Sequence, residues 1–147
     1  MHEAVMHHIK GKDVYIGTAA VADYSPAEVK NSKIKKDGKR SPLNLELEEN
    51  QDILRSVSDL EERPYIVGFA AETDGLIVNA EKKLKNKGLD LIVANDVSNE
   101  EIGFDSDENE VTLITKTEQQ LIPKQNKKQI SKKIVEFISR SINEQNN

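Results

Sequence analysis

Cysteine is absent from this chain of 147 residues. Its absence excludes disulfide bonds, zinc sites built from thiolates and catalysis by a cysteine nucleophile. Long apolar runs are also missing, since no segment approaches the roughly 20 apolar residues that a membrane-spanning helix needs. The N-terminal segment MHEAVMHHIK lacks the apolar core of a secretory signal peptide. We therefore expect a cytoplasmic protein that does not associate with membranes.

Two well-known phosphate-binding motifs are missing as well. The sequence contains neither the dinucleotide fingerprint GxGxxG nor a Walker A motif. Any site for phosphate groups must therefore use lysines and bare backbone N–H groups. The formal net charge of −5 argues against general affinity for nucleic acid, although the lysines occur in clusters that matter more than the total.

The segment from Tyr65 to Asp96 has the pattern of a strand, a helix and a second strand. YIVGFAAE and LDLIVAND are short apolar runs typical of strands buried on both faces. Between them, apolar residues recur at helical spacing, and Gly88 stands where a left-handed C-terminal cap is expected. Such a unit implies parallel strands joined by a right-handed crossover. Ligands bind beyond the carboxyl ends of such strands, which are here Phe69 to Thr73 and Asn95 to Ser98.

Residues 31–49 differ in character from the rest of the chain. Basic residues crowd the turn KIKKDGKR, and LNLELE alternates with period two, which predicts an antiparallel arm. Leu43, Leu45 and Leu47 would form one apolar face, which suits an arm that packs on a second subunit. The helix QDILRSVSDLEER is expected to follow, with Asn50 as its N-cap.

The remaining segments complete an α/β domain over residues 1–147. A helix over residues 1–10 precedes a strand from Val14 to about Ala20. A strand over Val111 to Ile114 is expected in a hairpin whose turn lies at Asp105 to Asn109. A final amphipathic helix, with isoleucines at four-residue steps, would cover the sheet. We therefore predict a Rossmann-like three-layer parallel sheet, with the arm and the hairpin as antiparallel excursions.

Lysines and one aspartate are the candidate ligand-binding residues. Lys83 and Lys87 project from the same side of the predicted crossover helix. Two ammonium groups near a strand end would suit a triphosphate, but such pairs are more often a solvated face. The basic turn that begins at Lys33 is either an ordinary hairpin tip or a mobile flap that closes over a charged reacting centre. Asp23 could bind a sugar hydroxyl or a metal, or cap its loop.

The sequence identifies no metal ligands. His2, His7 and His8 are interpreted as solvated, because adjacent histidines on a helix face in different directions and the expected partner ligands are missing. The acidic run DSDENE lacks the spacing and the glycine of a calcium-binding loop. The residues that would hold a metal are therefore unknown.

Several motifs occur together in a characteristic order. The chain contains AAVADYSP, KIKK, NQDIL, GFAAET, a lysine-bearing helix, LDLIVANDVS and GFDSDENEV. This order resembles the phosphopantothenoylcysteine synthetase domain of the bacterial bifunctional coenzyme A biosynthesis protein, over nearly the full chain. The resemblance implies a ligase that joins 4′-phosphopantothenate to L-cysteine. It also implies CTP as co-substrate, Mg²⁺ as cofactor, an acyl-cytidylate intermediate, and release of pyrophosphate and CMP.

The resemblance implies roles for individual residues. Lys33 matches the family lysine linked to conversion of the acyl intermediate to product and is the expected catalytic residue. Gln51 stands where the family motif has a proline, which affects the shape of that loop. The residues matched to the nucleotide site are Gly17, Thr18, Ala19, Asp23, Lys33, Gln51, Asp52, Ile53, Leu54, Phe69, Lys83 and Lys87.

The family's domain begins with another strand, a glycine-rich loop and further βα units before the matched segment. The resemblance therefore implies an N-terminally truncated synthetase domain, without the asparagine that handles the acyl intermediate and without the flavin-dependent half. The expected partners are CTP, 4′-phosphopantothenate and L-cysteine, with a homodimer formed through the 31–49 arm. The alternative is a non-catalytic nucleotide-binding or association remnant. A dehydrogenase-like domain is weakened by the missing glycine fingerprint.

Overall fold

The computed structural model describes residues 1–29, 32–34, 43–72, 74–96 and 106–145. In chain order, the elements are α1 (His2–His8), β1 (Val14–Gly17), β2 (Tyr24–Pro26), β3 (Leu47–Glu49), α2 (Ile53–Ser58), β4 (Tyr65–Glu72), α3 (Leu76–Lys87), β5 (Leu91–Asp96), β6 (Glu108–Ile114), β7 (Gln119–Asn126) and α4 (Lys127–Gln145). The chain divides into two compact units. The larger comprises Met1–Thr18 and Ile53–Asn147, and the smaller comprises Ala19–Asp52.

A five-stranded sheet in the order β1-β4-β5-β6-β7 forms the centre of the larger unit. β1, β4 and β5 are parallel, and β6 and β7 extend the sheet in antiparallel fashion. α3 connects β4 to β5, which confirms the predicted crossover unit. Gly88 ends α3 with a φ of 65°, and its N–H donates to the carbonyls of Leu84 and Lys85. That left-handed conformation favours glycine because it lacks a Cβ.

Helices cover both faces of this sheet, as predicted. On one face, Ile66 of β4 packs in a cluster with Val57 of α2 and Leu84 of α3. On the other face, Val67 packs with residues of α4, among them Phe137. Ile66 and Val67 are consecutive and both 0% exposed, because successive strand residues point to opposite faces. The three-layer α/β fold is therefore confirmed.

Arg63 links the start of β4 to the turn before β5. Its Nη1 donates to the Gly88 carbonyl at 2.7 Å, and its Nη2 pairs with Asp90 Oδ1. Asp90 Oδ2 in turn accepts a hydrogen bond from the Ile66 N–H at 2.8 Å. One carboxylate thus joins a side chain and a backbone group at the amino end of the parallel strands.

The predicted extents of two elements are wrong, because the strand expected from Val14 to about Ala20 and the helix expected over residues 51–63 are both shorter. β1 ends at Gly17 rather than near Ala20, since the chain turns and the Val21 N–H donates to the Ala19 carbonyl. α2 begins at Ile53, so Asn50 is not its N-cap. Asn50 instead donates from Nδ2 to the Ala22 carbonyl at 2.9 Å and accepts from Ser25 Oγ at 2.9 Å. Its side chain therefore connects two parts of the smaller unit.

The hairpin is also larger than expected and turns elsewhere. β6 begins at Glu108 and pairs with β7, which the sequence analysis missed. The turn lies at Thr115–Glu118, where the Thr115 N–H donates to the Glu118 carbonyl at 2.9 Å. β7 is an edge strand, which explains how it accommodates Pro123. The expected turn at 105–109 overlaps β6, and residue 105 lies outside the described residues.

α4 runs over Lys127–Gln145 and confirms the predicted amphipathic helix. Its buried side chains are Ile130, Ile134, Phe137, Ile138 and Ser141. Within the described ranges, no helix combines the length and the apolar character needed to cross a membrane.

The smaller unit contains a two-stranded antiparallel sheet. Tyr24 of β2 lies opposite Glu49 of β3, and Pro26 lies opposite Leu47. The pairing ends where the Ala27 N–H donates to the Glu46 carbonyl at 3.0 Å. Residues 35–42, which include most of the basic turn, lie outside the described residues. The flap and dimerisation roles of 31–49, and the assignment of one domain to 1–147, stay predictions.

Candidate functional site

The carboxyl ends of the parallel strands lie side by side at one edge of the sheet. Gly17 at the end of β1 is the register partner of Gly68 in β4. Ala71 of β4 is in turn the partner of Asn95 in β5. The two strand ends that the sequence analysis placed at a ligand-binding edge, and Gly17, which the family resemblance assigned to the nucleotide site, are therefore on neighbouring strands. In parallel sheets, this edge is where ligands bind.

The first turn of α2 packs directly on this part of the sheet. A Cβ atom built on Gly17 would lie 3.0 Å from Leu54 Cδ2, and one built on Gly68 would lie 3.5 Å from Leu54 Cδ1. The Leu54 side chain therefore points onto the sheet. Ile53 is only 7% exposed and belongs to the core. Both residues can meet a ligand chiefly through their backbone, while Thr18 is exposed at the end of β1.

Lys83 reaches the carboxyl-terminal half of β4 from α3. Its Nζ donates to the Phe69 carbonyl at 2.9 Å in a partly buried environment. The Phe69 side chain packs on the opposite face of the sheet, against the cluster that α4 covers. The structure thus brings Lys83 and Phe69 together through a backbone oxygen. This hydrogen bond holds the Nζ atom of Lys83 against the backbone of β4.

Lys87 lies one helical turn beyond Lys83, in the last turn of α3. Because α3 returns from the carboxyl end of β4 to the amino end of β5, Lys87 is about 6 Å farther from the ligand-binding edge. Both lysines are half-buried. The two lysines share a side of the helix, as predicted, and Lys83 contacts the backbone of β4.

The other predicted site residues belong to the smaller unit. Ala19, Asp23, Lys33, Gln51 and Asp52 are all exposed. The Asp23 carbonyl accepts a hydrogen bond from the Asn50 N–H at 2.7 Å, so the backbone at Asp23 is fixed within this unit. Ala19 follows Thr18 in the chain, and Asp52 precedes Ile53. Of these five residues, Ala19 and Asp52 are therefore adjacent in sequence to the larger unit.

Asn95 is a candidate that the residue-by-residue prediction omitted. Its Oδ1 is buried and has no hydrogen-bond partner among the residues that the structure describes. Buried polar atoms are normally paired, because an unpaired one costs about 1–3 kcal/mol. The sequence signal is that Asn95 is the first polar residue after the apolar run of β5. An acceptor in this position can take a hydrogen bond from a bound N–H or O–H group.

Two tyrosines have perturbed acidity. Burial raises the pKa of Tyr15, whose ring lies next to Gly17, with Cε1 3.5 Å from the position of a Gly17 Cβ. Burial also raises the pKa of Tyr65, but Tyr65 begins β4 and lies at the far end of the sheet. Both phenols are neutral near pH 7. Tyr15 is therefore a neutral, half-buried group beside the site.

The described residues contain no group of three or more histidine, aspartate or glutamate side chains that could hold a metal ion. The metal ligands, unknown from the sequence, therefore stay unassigned.

Comparison with known proteins identifies the relatives of this chain. Residues 1–142 match the model of a family described as the DNA/pantothenate metabolism flavoprotein C-terminal domain. The coenzyme A biosynthesis bifunctional protein CoaBC of Vibrio vulnificus (strain YJ016) is 42% identical over 139 residues, which are 94% of this chain and 35% of that protein. The protein of the same name from Escherichia coli (strain K12) is 38% identical over 148 residues, covering 99% of this chain and 36% of that protein.

A solved structure leads to the same relatives. The crystal structure of the C-terminal domain of coenzyme A biosynthesis bifunctional protein CoaBC superposes with a TM-score of 0.75 at 33% identity. The superposition covers 97% of this chain and 61% of the chain in the solved structure. The chain thus spans 35% of the first curated relative, and the family resemblance inferred from its motifs is confirmed. It belongs to the DNA/pantothenate metabolism flavoprotein C-terminal domain family.

Proposed function

We propose that this chain provides the nucleotide-binding and product-forming part of a CTP-dependent phosphopantothenate–cysteine ligase. The carboxylate of 4′-phosphopantothenate would attack the α-phosphorus of CTP, so that a C–O–P bond forms and pyrophosphate leaves. The amine of L-cysteine would then attack the acyl carbon of this acyl-cytidylate. An amide bond forms, CMP leaves, and the amine loses a proton. The products are phosphopantothenoylcysteine, CMP and pyrophosphate.

The observation that carries this proposal is the convergence of Gly17, Leu54 and Lys83 on the ends of β1 and β4. Gly17 leaves the backbone bare where the first turn of α2 meets the sheet. Lys83 places an ammonium group 2.9 Å from the Phe69 carbonyl, one residue beyond Gly68. Bare backbone and a lysine are the groups that a phosphate site without a Walker A motif requires. Identity of 38–42% to coenzyme A biosynthesis proteins supports the same chemistry.

The first step brings two anions together, because a carboxylate must approach a triphosphate. Positive charge fixed in advance at the site lowers this barrier without reorganisation during the reaction. We assign Lys83 to the phosphates of CTP, and Lys87 to the outer end of the same charged region. Thr18, Ala19 and Phe69 would contact the nucleotide beside them. The unpaired Oδ1 of Asn95 would accept a hydrogen bond from a bound N–H or O–H group.

Mg²⁺ is the implied cofactor, and the described residues fit a metal that arrives on the nucleotide. No three acidic or histidine side chains converge among them, so they form no metal cage of their own. Mg²⁺ commonly keeps several waters and binds through phosphates with one or two carboxylates. When bound, it would neutralise charge on the phosphates. Asp23 and Asp52 are exposed carboxylates that could supply such a ligand.

Lys33 is assigned to the second step. It is exposed, and it is the first residue of the basic turn that we interpret as a flap. A lysine on a flap can meet the acyl-cytidylate after closure, when water is excluded from the reactive anhydride. Its charge would stabilise the oxyanion that develops as cysteine attacks.

Association through the 31–49 arm is the second proposed property. Leu43, Leu45 and Leu47 are 64%, 59% and 57% exposed. Large contiguous apolar patches on a protein surface mark interaction sites. We propose that this leucine arm, defined by Leu43, Leu45 and Leu47, packs on a second copy of the chain.

Calorimetric titration of the purified chain with CTP and with ATP, each with Mg²⁺, tests the nucleotide assignment. CTP should bind more tightly than ATP, because the segment from Gln51 to Leu54 is matched to cytidine contacts. Absence of heat with CTP at millimolar concentration would rule out a competent nucleotide site. Equal affinity for both nucleotides would show that the site binds phosphate groups without distinguishing the base.

A further inference from the structure

Leu54 lies against two glycines of neighbouring strands. Gly17 and Gly68 are register partners in β1 and β4. A Cβ on Gly17 would come within 3.0 Å of Leu54 Cδ2, a separation at which the leucine would have to move. A Cβ on Gly68 would lie 3.5 Å from Leu54 Cδ1, which is ordinary contact. Leu54 therefore fills the space that a side chain at Gly17 would occupy.

The contact matters because α2 is short. α2 contains six residues, and a helix of this length has little stability apart from its packing. Its first turn is held to the sheet by Ile53 and Leu54, and its second by Val57, which is 0% exposed. The height of the first turn above the end of β1 therefore depends on how closely Leu54 can approach Gly17.

We propose that Leu54 is a positioning residue whose contact with Gly17 sets the height of the first turn of α2 and thereby the affinity of the CTP site. This inference rests on the proposed function and deepens it. It assigns the Leu54 side chain to the sheet and leaves the backbone of Ile53 and Leu54 to face the nucleotide. A methyl group at Gly17 would then weaken CTP binding by lifting Leu54, without touching the nucleotide.

A double-mutant cycle separates this indirect effect from a direct clash. Calorimetry would measure the CTP dissociation constant, with Mg²⁺, for the unsubstituted chain, Gly17→Ala, Leu54→Val and the double variant. Interaction energies between contacting residues correspond to about a tenfold change in a dissociation constant. Gly17→Ala should therefore raise the CTP dissociation constant by about that factor. The double variant should recover most of the loss, because valine lacks the Cδ2 atom that the new methyl would meet.

Gly68→Ala provides a matched control. Its new Cβ would lie 2.7 Å from Leu89 Cδ1 but only in ordinary contact with Leu54. Any loss of thermal stability in Gly68→Ala should therefore be relieved by Leu89→Val and not by Leu54→Val. Recovery of Gly68→Ala by Leu54→Val would contradict the specificity of the Gly17–Leu54 contact.

The possible outcomes are distinct. Additive effects of Gly17→Ala and Leu54→Val would overturn the positioning role, because the two residues would then act separately. No CTP binding by the unsubstituted chain would refute the proposed function, and this inference with it. Should Gly17→Ala fail to fold, Leu54→Ala keeps both glycines and removes both Cδ atoms. It should weaken CTP binding about tenfold, and unchanged affinity in this variant would overturn the positioning role.

Discussion

Lys83 Nζ donates a hydrogen bond to the Phe69 carbonyl at 2.9 Å, across 14 residues of sequence. The lysine belongs to α3 and the carbonyl to β4, so the hydrogen bond ties the crossover helix to the strand that precedes it. It fixes the position of an ammonium group against the carboxyl-terminal half of a parallel strand, the half nearer to the ligand-binding edge of the sheet. A lysine that was free to move would need to be ordered at each binding event, at a cost in side-chain entropy.

Replacing Lys83 should therefore weaken nucleotide binding. Lys83→Ala removes the charge assigned to the phosphates, and we expect the CTP dissociation constant to rise about tenfold or more, as for loss of a charge-assisted hydrogen bond. Lys85→Ala, on the exposed side of the same helix, provides the control and should leave the affinity within about twofold. Equal losses for the two variants would mean that only the total charge of α3 matters.

Lys33→Ala should affect the chemistry more than nucleotide binding. Introduced into a full-length synthetase of this family, it is expected to lower formation of phosphopantothenoylcysteine by about 100-fold or more, because the charge acts on the transition state of cysteine attack. CTP affinity should change much less. Product and pyrophosphate would be measured separately, with the exposed Lys116→Ala as control. Undiminished product formation would refute the role assigned to Lys33.

Sequence patterns predicted the elements that depend on local spacing. The strand–helix–strand unit over Tyr65–Asp96 and its cap at Gly88 follow from periodicity and from the conformational freedom of one glycine. β7 was missed because QQLIPKQN is largely polar and contains a proline, and an edge strand tolerates both. Its pairing with β6 is visible only from the register of the sheet.

The sequence predicted which residues belong to the candidate site but not which of them contact each other. The family motifs selected Gly17, Leu54 and Lys83, but nothing local indicates that Leu54 points onto Gly17. That contact depends on the parallel register between Gly17 and Gly68, which joins residues far apart in the chain. In the same way, Asn95 was identifiable as a strand-end residue, but its unpaired oxygen becomes evident only in the folded chain.

The leucine arm should control the association of the chain. Leu45→Asp places a charge on a side chain that is 59% exposed, and we expect it to shift the sedimentation coefficient from that of a dimer to that of a monomer. Leu121→Asp, at 58% exposure on β7, is a control of matched chemistry and exposure. It should leave the sedimentation coefficient unchanged. A monomeric unsubstituted chain would remove the proposed dimer altogether.

The pair between Arg63 and Asp90 should contribute measurably to stability. Asp90 has 11% side-chain exposure and Arg63 has 31%. Removing the carboxylate takes away the partner of Arg63 Nη2 and of the Ile66 N–H, and leaves the guanidinium bonded only to the Gly88 carbonyl among its described contacts. We expect Asp90→Ala to lower the free energy of unfolding by about 2–3 kcal/mol. Lys132→Ala breaks a pair with 78% and 63% exposed side chains and should cost less than about 0.5 kcal/mol. Urea denaturation of both variants would decide whether burial makes the difference.

Tyr65 should make the protein less stable at alkaline pH. Burial raises its pKa above the ordinary value of 10.0, the charges of Asp90 and Glu118 add to this effect, and a hydrogen bond with Ser141 opposes it. Because the folded state holds the phenolic proton more tightly than the unfolded state, this stabilisation is complete below about pH 10 and is lost as the pH rises through the folded pKa. The free energy of unfolding should therefore begin to fall at about pH 10 and continue to fall as the pH rises through the folded pKa.

Tyr65→Phe removes this titration and should show a smaller fall over the same interval, from a lower starting stability, because the hydrogen bond with Ser141 is also lost. Tyr24→Phe alters a phenol that is 58% exposed and should retain the pH dependence of the unsubstituted chain. Urea denaturation at a series of pH values below and above the ordinary tyrosine pKa of 10.0 measures all three proteins. An identical alkaline decline in Tyr65→Phe would show that other groups, not the buried phenol at the start of β4, cause it.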